Sequence, residues 1–297
     1  MKLGKFTLLK SLFILLLSQQ VFGQNTLQTK INQLSKTVSG NVGVCATLLE
    51  TGETITLNGD KRFPMQSVYK FPIGMAVLAK VDRGVLSLTQ KIKVDTADYI
   101  AKNGHSPLRD QYPAGTYISV KDLINYAVSE SDGSASDVLL RILGGTKQAD
   151  RYVHQLGIKD IAIATTEKIQ VANDIIQYKN WATPKAITRL LNIFYTKNKL
   201  SANSFKVLLT DMTTSPTGPK RIKGLLPKGT VVAHKTGTAG TFNGLTRATN
   251  DAGIITLPNG RHIAISVFVS DSRSSEAERE LVIANIAKAA YDNWLSR

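Results

Sequence analysis

The residue types that acyl transfer requires occur first at Ser67 and Lys70. The two positions are just under one helical turn apart, so their side chains lie on one face of a predicted helix. A serine at a helix start is near free backbone N–H groups and the positive end of the helix dipole. A lysine one turn later can accept the hydroxyl proton if its own charge is suppressed. The pair therefore predicts a nucleophile and its base, although it also fits a capping serine followed by a solvated lysine.

Two further segments follow in a suggestive order. Ser131-Asp132-Gly133 lies between two predicted helices, and Lys235-Thr236-Gly237 lies on a predicted strand. Each segment alone is weak evidence, because Ser131 also fits a helix cap and Lys235 a solvated strand lysine. The three segments together, in this order and in these contexts, indicate a serine enzyme of acyl transfer.

The elements that must position these segments are of two kinds. Runs typical of strands occur near both ends of the chain, at residues 42–49, 54–57, 231–236, 252–257 and 262–269. Helical periodicity fills the middle, and further helices are predicted at residues 26–36 and after Ser275, where Ser275 and Glu278 resemble a capping box. We therefore predict an α/β fold of the α+β type. One antiparallel sheet is built from both ends of the chain, covered by the terminal helices and interrupted by an all-helical insertion.

This arrangement predicts two interleaved domains. Residues 24–65 and 216–297 are assigned to the α/β domain and residues 66–215 to the all-α domain. Clefts between such parts commonly hold functional sites, so we expect the three segments to meet there.

The first 23 residues are typical of a secretory signal peptide. A basic start is followed by a short apolar run from Phe6 to Leu17, and then by Val21-Phe22-Gly23. The apolar run is too short to span a bilayer comfortably, and no cysteine for a lipid anchor lies at the predicted cut. We expect cleavage near Gly23 and no stable membrane association of the mature chain from about Gln24.

The composition argues against several other classes of protein. The net charge is +15, but the lysines and arginines are spread along the chain, without a dense basic run or interleaved aromatic residues. Together with the export signal, this argues against nucleic acid as a partner and favours small anionic molecules. Cys45 is the single cysteine, so no internal disulfide forms, and its β-like surroundings predict a buried side chain. No metal is predicted, because none of the histidines forms a pair at ligand spacing: His105, His154, His234 and His262.

In these motifs, and over essentially the whole mature length, the sequence resembles the class A serine β-lactamases. Four segments are most similar to the extended-spectrum branch of PER, VEB and TLA enzymes: residues 63–67, 180–184, 232–238 and 249–251. The resemblance implies a β-lactamase/transpeptidase-like fold with a five-stranded antiparallel sheet. It also implies a serine hydrolase of cyclic amides that acts on penicillins and cephalosporins through a Ser67 acyl-enzyme. Extended-spectrum cephalosporin activity, antibiotic resistance, a monomer in the periplasm of a Gram-negative bacterium and no cofactor follow from the same resemblance.

Roles in acylation follow for several residues. Lys70 faces the cationic Lys235 across the cleft, and so is expected to help deprotonate Ser67. By resemblance, Ser131 carries a proton toward the lactam nitrogen. The backbone N–H groups of Ser67 and Thr238 form the oxyanion hole.

Roles in substrate binding follow as well. Lys235 and the Thr236 hydroxyl suit the carboxylate of the substrate, and Gly237 lets the strand backbone approach it closely. Arg221 is a further candidate for that carboxylate, since a planar guanidinium matches its geometry, but it also fits a plain surface arginine.

Hydrolysis, as distinct from acylation alone, needs a base that activates water. Glu167 is predicted to be this base from its place in the family's loop, upstream of Asn180-Trp181. Three departures from the family pattern surround it. Gly133 stands where an asparagine is usual, and Val171 stands where the family often has the asparagine that helps to hold the hydrolytic water. Thr165 and Asn180 replace an arginine–aspartate pair at the ends of the loop, so the path of the loop and the room in the site are left open.

Two other classes of protein share parts of the pattern. A cell-wall D,D-peptidase or penicillin-binding protein uses the same three motifs, and it predicts stable acylation by penicillin without useful turnover. A non-catalytic β-lactam sensor normally needs a membrane-bound signalling segment, which a cleaved leader does not provide. Repeated turnover of a chromogenic cephalosporin separates a lactamase from both.

Overall fold

A computed structural model describes residues 26–196 and 199–296. The predicted signal peptide and its cleavage point lie outside the described residues. Within these ranges, no helix combines the length and the apolar character needed to cross a membrane.

Helices and strands begin and end at the following residues. The α-helices are α1 (residues 26–34), α2 (Lys70–Asp82), α3 (Pro107–Gln111), α4 (Val120–Val128), α5 (Gly133–Leu143), α6 (Thr146–Gln155), α7 (Glu167–Ala172), α8 (Pro184–Thr196), α9 (Ala202–Thr213) and α10 (Glu276–Leu295). The strands are β1 (Asn41–Leu48), β2 (Thr54–Leu57), β3 (Phe63–Pro64), β4 (Lys91–Val94), β5 (Thr116–Ser119), β6 (Ile161–Ala162), β7 (Trp181–Ala182), β8 (Val232–Thr238), β9 (Thr241–Phe242), β10 (Leu245–Thr246), β11 (Thr249–Thr256) and β12 (His262–Ser270). Short 3₁₀ segments cover Ser35–Thr37, Gln66–Tyr69, Thr96–Asp98 and Asp174–Lys179.

The main sheet has five antiparallel strands in the order β2-β1-β12-β11-β8. Its strands come from both ends of the chain, which confirms the predicted fold class. Strand β8 lies at the edge of this sheet, and Lys235 on it pairs with Ala252 on β11. One side of β8 is therefore free of a strand partner and can face the segment that contains Ser67.

The two faces of the sheet belong to two separate hydrophobic clusters. Strand β12 shows why, because successive side chains of a strand point to opposite faces. Ile263, Ile265 and Val267 pack in the cluster that includes Trp294 of α10. Phe268 points the other way and stacks on Phe63, in the cluster of the central helices. The sheet is therefore covered by the terminal helices on one face and by the helical segment on the other.

The predicted helix boundaries are largely confirmed. The Ser119 side chain accepts a hydrogen bond from the Asp122 N–H at the start of α4, and Ser275 and Glu278 form the capping box of α10. Pro72 lies in the first turn of α2, where a missing N–H removes no bond that the helix needs. Cys45 is buried in β1, as predicted.

Strands β8 and β11 are longer than the apolar pattern predicts. In β11, Asn250 and Asp251 are polar and interrupt the apolar pattern of the sequence, yet both are fully buried. Asp251 bonds to His234 at 2.9 Å, and Asn250 donates to the main chain beside the Ser67 segment. Buried polar side chains with partners are compatible with a central strand, although alternation rules miss them.

Candidate active site

Ser67 lies in the 3₁₀ segment that leads into α2. The segment is held by β11, since Asn250 Nδ2 donates to the Met65 carbonyl at 3.1 Å. It is also held against β8, where a Cβ at Gly237 would come within 2.3 Å of that same carbonyl oxygen. Gln66, directly before Ser67, has a left-handed backbone with φ of 46°. The surrounding contacts thus fix a strained turn that presents Ser67 at the wall of a cavity.

Ser131 accepts hydrogen bonds from both predicted lysines, Lys70 and Lys235. Lys70 Nζ donates to the Ser131 carbonyl at 2.7 Å, and Lys235 Nζ donates to Ser131 Oγ at 2.7 Å. Both lysines are only 1% exposed. Burial lowers the pKa of Lys235 well below its usual value, and the nearby charge of Lys70 adds to the effect. Because Ser131 Oγ already accepts a bond from Lys235, its own hydrogen is free to point elsewhere.

Asp132 fixes the turn that carries Ser131. Ser131 has a left-handed backbone with φ of 61°, which a non-glycine residue adopts only when its surroundings impose it. The Asp132 carboxylate caps α5 by accepting from the Ala135 N–H at 2.7 Å, and it also accepts from the Leu108 N–H at 2.6 Å. Burial raises the pKa of Asp132, although these bonds favour its ionised form. Asp132 therefore holds the Ser131-Asp132-Gly133 segment in place, although its own side chain is not part of the cavity wall.

Glu167 begins α7 and reaches the same site. Its main chain is anchored by Asp137, whose carboxylate accepts from the Glu167 N–H at 2.7 Å and the Lys168 N–H at 2.8 Å. Its Oε2 accepts a bond from the Tyr69 hydroxyl at 2.6 Å and lies 3.4 Å from Lys70 Nζ. Burial raises the pKa of Asp137 to about 7. A carboxylate, an amine and a phenol thus converge next to Ser67.

The predicted residues line one cavity of about 580 Å³. Among its walls are Ser67, Ser131, Glu167, Arg221, Thr236 and Thr238. Lys70 and Lys235 are buried behind this wall, and Gly237 is buried in the strand between Thr236 and Thr238. The Thr236 hydroxyl lies 2.8 Å from that of Thr217. A carboxylate bound here would meet hydroxyl groups backed by the ammonium of Lys235.

Arg221, the further candidate for the substrate carboxylate, lines the cavity, and most of its donors bond within the protein. It is 3% exposed, and its Nε donates to Glu280 at 3.1 Å. Nη1 donates to the carbonyls of Gly237 and Asn250, and Nη2 donates to Thr238 Oγ1 at 2.8 Å. Four of its five N–H groups therefore hold the protein together, and the fifth, on Nη2, has no partner among the described residues. Arg221 therefore positions Thr238, and the remaining N–H on Nη2 is the part of the fork that is left for the predicted contact with the substrate carboxylate.

Asn180 closes the loop of residues 165–180 without an ion pair. Its Oδ1 accepts from the Ala164 N–H at 2.8 Å and the Thr165 N–H at 2.9 Å, and its Nδ2 donates to the Thr165 carbonyl at 2.9 Å. The loop is also tied to its surroundings by Gln66–Gln177 at 2.6 Å and by the ion pair of Asp174 with Arg247. An amide thus provides both the acceptor and the donor that the loop ends require.

Replacing Asn180 with alanine should destabilise the protein. The change removes the partner of two N–H groups and a carbonyl, and Asn180 and Thr165 are both buried, whereas Ala164 is exposed. We expect the free energy of unfolding to fall by about 2–4 kcal/mol, as measured by urea denaturation. Asn32→Ala, on the exposed face of α1, is the matched control and should change it by less than about 0.5 kcal/mol. Equal stability of the two variants would mean that the loop closes by other contacts.

Gly133 lies against the side chain of Glu167. A Cβ at this position would be 2.6 Å from Glu167 Cγ and 2.6 Å from Ile100 Cδ1. The asparagine expected from the family pattern therefore does not fit beside Glu167 in this arrangement. Val171 lines the cavity with an apolar side chain, so neither position supplies an amide.

Three residues of this site were missed in the sequence: Tyr69, Asp137 and Asn250. Tyr69 carried one available signal, because a phenol in a buried apolar helix start requires a partner for its hydroxyl. Asp137 lies one turn after Gly133 on α5, so it could have been assigned to the same face. Asn250 gave no local signal. Within the described ranges, no three His, Cys, Asp or Glu side chains are grouped as ligands of a metal ion.

Several known proteins are similar to this chain over most of its length. The model of the β-lactamase enzyme family matches residues 26–294. The chain is 41% identical to β-lactamase VEB-1 of Pseudomonas aeruginosa over 275 residues, which is 92% of each chain. It is 41% identical to the extended-spectrum β-lactamase PER-1 of the same organism over 86% of this chain and 83% of that one. Among solved structures, a β-lactamase from Chitinophaga pinensis matches with a TM-score of 0.88 and 45% identity, over 90% of this chain and 98% of that chain. The TLA-3 extended-spectrum β-lactamase matches with a TM-score of 0.89 and 43% identity, over 92% and 99%.

Proposed function

The chain belongs to the class A β-lactamases, and on this premise we propose that it hydrolyses penicillins and cephalosporins through an acyl-enzyme on Ser67. The observation that carries the proposal is the meeting of Ser67, Ser131 and Glu167 at one cavity, with Lys70 directly behind it. Ser67 supplies the nucleophile and Ser131 the proton carrier, while Lys70 is the base of acylation and Glu167 the base of deacylation.

Acylation is the first step. Lys70 Nζ accepts the Ser67 hydroxyl proton as Oγ bonds to the lactam carbonyl carbon. The N–H groups of Ser67 and Thr238 stabilise the resulting oxyanion. The C–N bond then breaks, and the Ser131 hydroxyl gives its proton to the departing nitrogen. Ser131 recovers a proton from Lys235, which donates to Ser131 Oγ in the resting site.

Deacylation is the second step. Glu167 takes a proton from a water molecule, whose oxygen attacks the ester carbonyl. The tetrahedral intermediate collapses, Ser67 Oγ leaves and takes the proton from Glu167, and the opened lactam departs as an acid. The proton that Lys70 accepted in the first step is released to solvent, from which Lys235 regains the proton that it gave to Ser131. The position of Glu167 next to Lys70, at 3.4 Å, supports this role because a proton can then return to the acylation machinery.

Substrate recognition is proposed for the β8 side of the cavity. The charge of Lys235 and the hydroxyls of Thr236 and Thr238 suit the carboxylate that these drugs share, and Gly237 keeps the strand free of a side chain. The remaining N–H of Arg221 is a further donor for it. PER-1 and TLA-3 are named as extended-spectrum enzymes, and we extend that breadth, including cephalosporins with bulky side chains, to this chain.

Export is also part of the proposal. The basic and apolar character of residues 1–23 supports a signal peptide and cleavage near Gly23. A monomer in the periplasm of a Gram-negative bacterium is proposed from the family resemblance. We retain the division into an α/β domain, residues 24–65 and 216–297, and a largely helical domain, residues 66–215. N-terminal sequencing of exported protein should begin near Gln24, and an intact Met1 would contradict export by this route.

Counting turnovers tests the proposed reaction. Purified protein is mixed with a tenfold to thousandfold excess of a chromogenic cephalosporin, and product is measured per molecule of enzyme. We expect all of the substrate to be consumed. A burst that stops at one product per enzyme would instead indicate acylation without hydrolysis, as in a D,D-peptidase.

A further inference from the structure

We propose that Tyr69 is a positioning residue for deacylation, whose hydroxyl holds one oxygen of Glu167 so that the other faces the hydrolytic water. The inference rests on the proposed function, in which Glu167 is the base of the second step. It adds a residue to that step which the sequence motifs do not assign.

The direction of the hydrogen bond is fixed by a third residue. Tyr69 Oη lies 2.6 Å from Glu167 Oε2, and Gln170 Nε2 donates to Tyr69 Oη at 3.3 Å. An amide N–H therefore occupies a lone pair of the phenol oxygen. The single phenolic hydrogen is left to point at the carboxylate.

Burial keeps this donor in place. Tyr69 is fully buried at the start of the helix that carries Lys70. Burial raises its pKa well above the usual value, and the charge of Glu167 raises it further. Tyr69 therefore remains a neutral donor throughout the range in which enzymes are assayed, and it has no rotamer freedom to swing away.

The two oxygens of Glu167 have different surroundings. Oε2 receives the bond from Tyr69 and is the oxygen closer to Lys70. Oε1 receives no hydrogen bond from any described residue, although Glu167 lines the cavity and its side chain is 13% exposed. The phenol thus selects Oε1 as the oxygen that can accept a proton from water.

A further donor is needed here because two others are missing. Gly133 provides no side chain, and a Cβ there would collide with Glu167 Cγ. Val171 lines the cavity but offers no polar atom. Asp137 holds the main chain of Glu167 at 2.7 Å, which fixes the start of α7 but not the side-chain torsions. Tyr69 constrains those torsions by a short, charge-assisted bond of 2.6 Å to Oε2, whereas Lys70 Nζ lies farther from this oxygen, at 3.4 Å.

The test is the Tyr69→Phe variant, which removes the hydroxyl and keeps the ring. Acylation uses Ser67, Lys70 and Ser131, and none of them bonds to the phenol, so its rate constant should stay within about twofold of the parent. Deacylation should slow by roughly tenfold to a hundredfold, the usual range for loss of a hydrogen bond to a charged group. The steady-state kcat and KM for a cephalosporin should then fall together with kcat/KM unchanged, and intact mass spectra should show acyl-enzyme accumulating.

Two further variants make the outcome specific. Tyr152→Phe is the matched control, since its hydroxyl is buried without a partner among the described residues, and it should retain parental kinetics. Glu167→Ala is measured in parallel. If it accumulates acyl-enzyme but Tyr69→Phe deacylates at the parental rate, the role of Tyr69 is wrong while the proposed function stands. If Glu167→Ala also deacylates at the parental rate, Glu167 is not the base of the second step, and the inference about Tyr69 fails together with that role. Equal loss of acylation and deacylation in Tyr69→Phe would indicate a merely structural role and overturn the inference.

Discussion

Replacing Ser67 with alanine is expected to abolish acyl-enzyme formation and to lower β-lactam turnover by at least about 10⁴-fold. Ser131 is another hydroxyl of a motif at the cavity wall, and its Oγ accepts a bond from Lys235 at 2.7 Å. It lies just before the start of α5, where the Gly133 N–H donates to the His105 carbonyl and the Ala135 N–H donates to the Asp132 carboxylate, so it is not expected to replace Ser67 as nucleophile. The measurement is steady-state hydrolysis of a penicillin and a cephalosporin, combined with intact mass spectrometry of mixtures quenched in acid.

The fold of this variant should be preserved. Ser67 makes no side-chain hydrogen bond to a described residue, so the alanine leaves no buried group without its partner. Ser87→Ala, at an exposed serine that bonds only within its own turn, is the matched control and should keep full activity. Turnover by Ser67→Ala above about a hundredth of the parental rate would show that another group attacks the lactam.

Replacing Glu167 with alanine should separate the two steps. Acylation is expected to proceed at close to the parental rate, because Lys70 keeps its bond to the Ser131 carbonyl at 2.7 Å. Deacylation is expected to slow by about 10²–10⁴-fold, the range for loss of a general base. The enzyme should therefore give a burst of one product per molecule and then stall, which stopped-flow absorbance can record.

The corresponding control removes a carboxylate far from the cavity. Glu276→Ala, in the first turn of α10, should show neither a burst nor a stall. A slow burst in Glu167→Ala would mean that this glutamate also takes part in acylation. Lys70 would then not be the sole base of the first step. Parental deacylation would remove Glu167 from the mechanism.

The fold was predictable because its signals are local. Apolar alternation indicates the strands from 42 to 57 and from 262 to 269, and capping residues such as Ser119 and Ser275 mark helix starts. The start of β11 was missed, because Asn250 and Asp251 are polar yet buried with partners. Only the neighbouring strand and the Ser67 segment, distant in the sequence, make those residues compatible with a strand.

Those residues of the candidate site that belong to short sequence motifs were predictable. Ser67, Lys70, Ser131 and Lys235 are each embedded in a short pattern. The structure joins the two lysines through their bonds to Ser131, and Ser67 lines the same cavity. The support of Glu167 was not predictable, since it depends on how the loop of residues 165–180 lies against α5 and the Ser67 segment. Gly133 illustrates this: in sequence it is a missing amide, whereas in the structure it makes room for Glu167.

Arg221 shows that the type of a residue does not by itself determine its role. Its residue type suggested a fork for the substrate carboxylate, but residue type does not reveal what already occupies the fork. Glu280, on the C-terminal helix, and two backbone carbonyls take most of its donors. Such contacts between distant parts of a chain follow from packing rather than from local pattern.

The most direct measurement of the central claim is the location of the trapped acyl group. Glu167→Ala is mixed with a penicillin, quenched in acid, digested and analysed by tandem mass spectrometry. We expect one adduct, with the mass of the intact penicillin, on Ser67 in the peptide that also contains Tyr69, and rapid loss of the same adduct in the parent. An adduct on any other residue, or no adduct while the parent hydrolyses penicillin, would contradict a Ser67 acyl-enzyme resolved by Glu167.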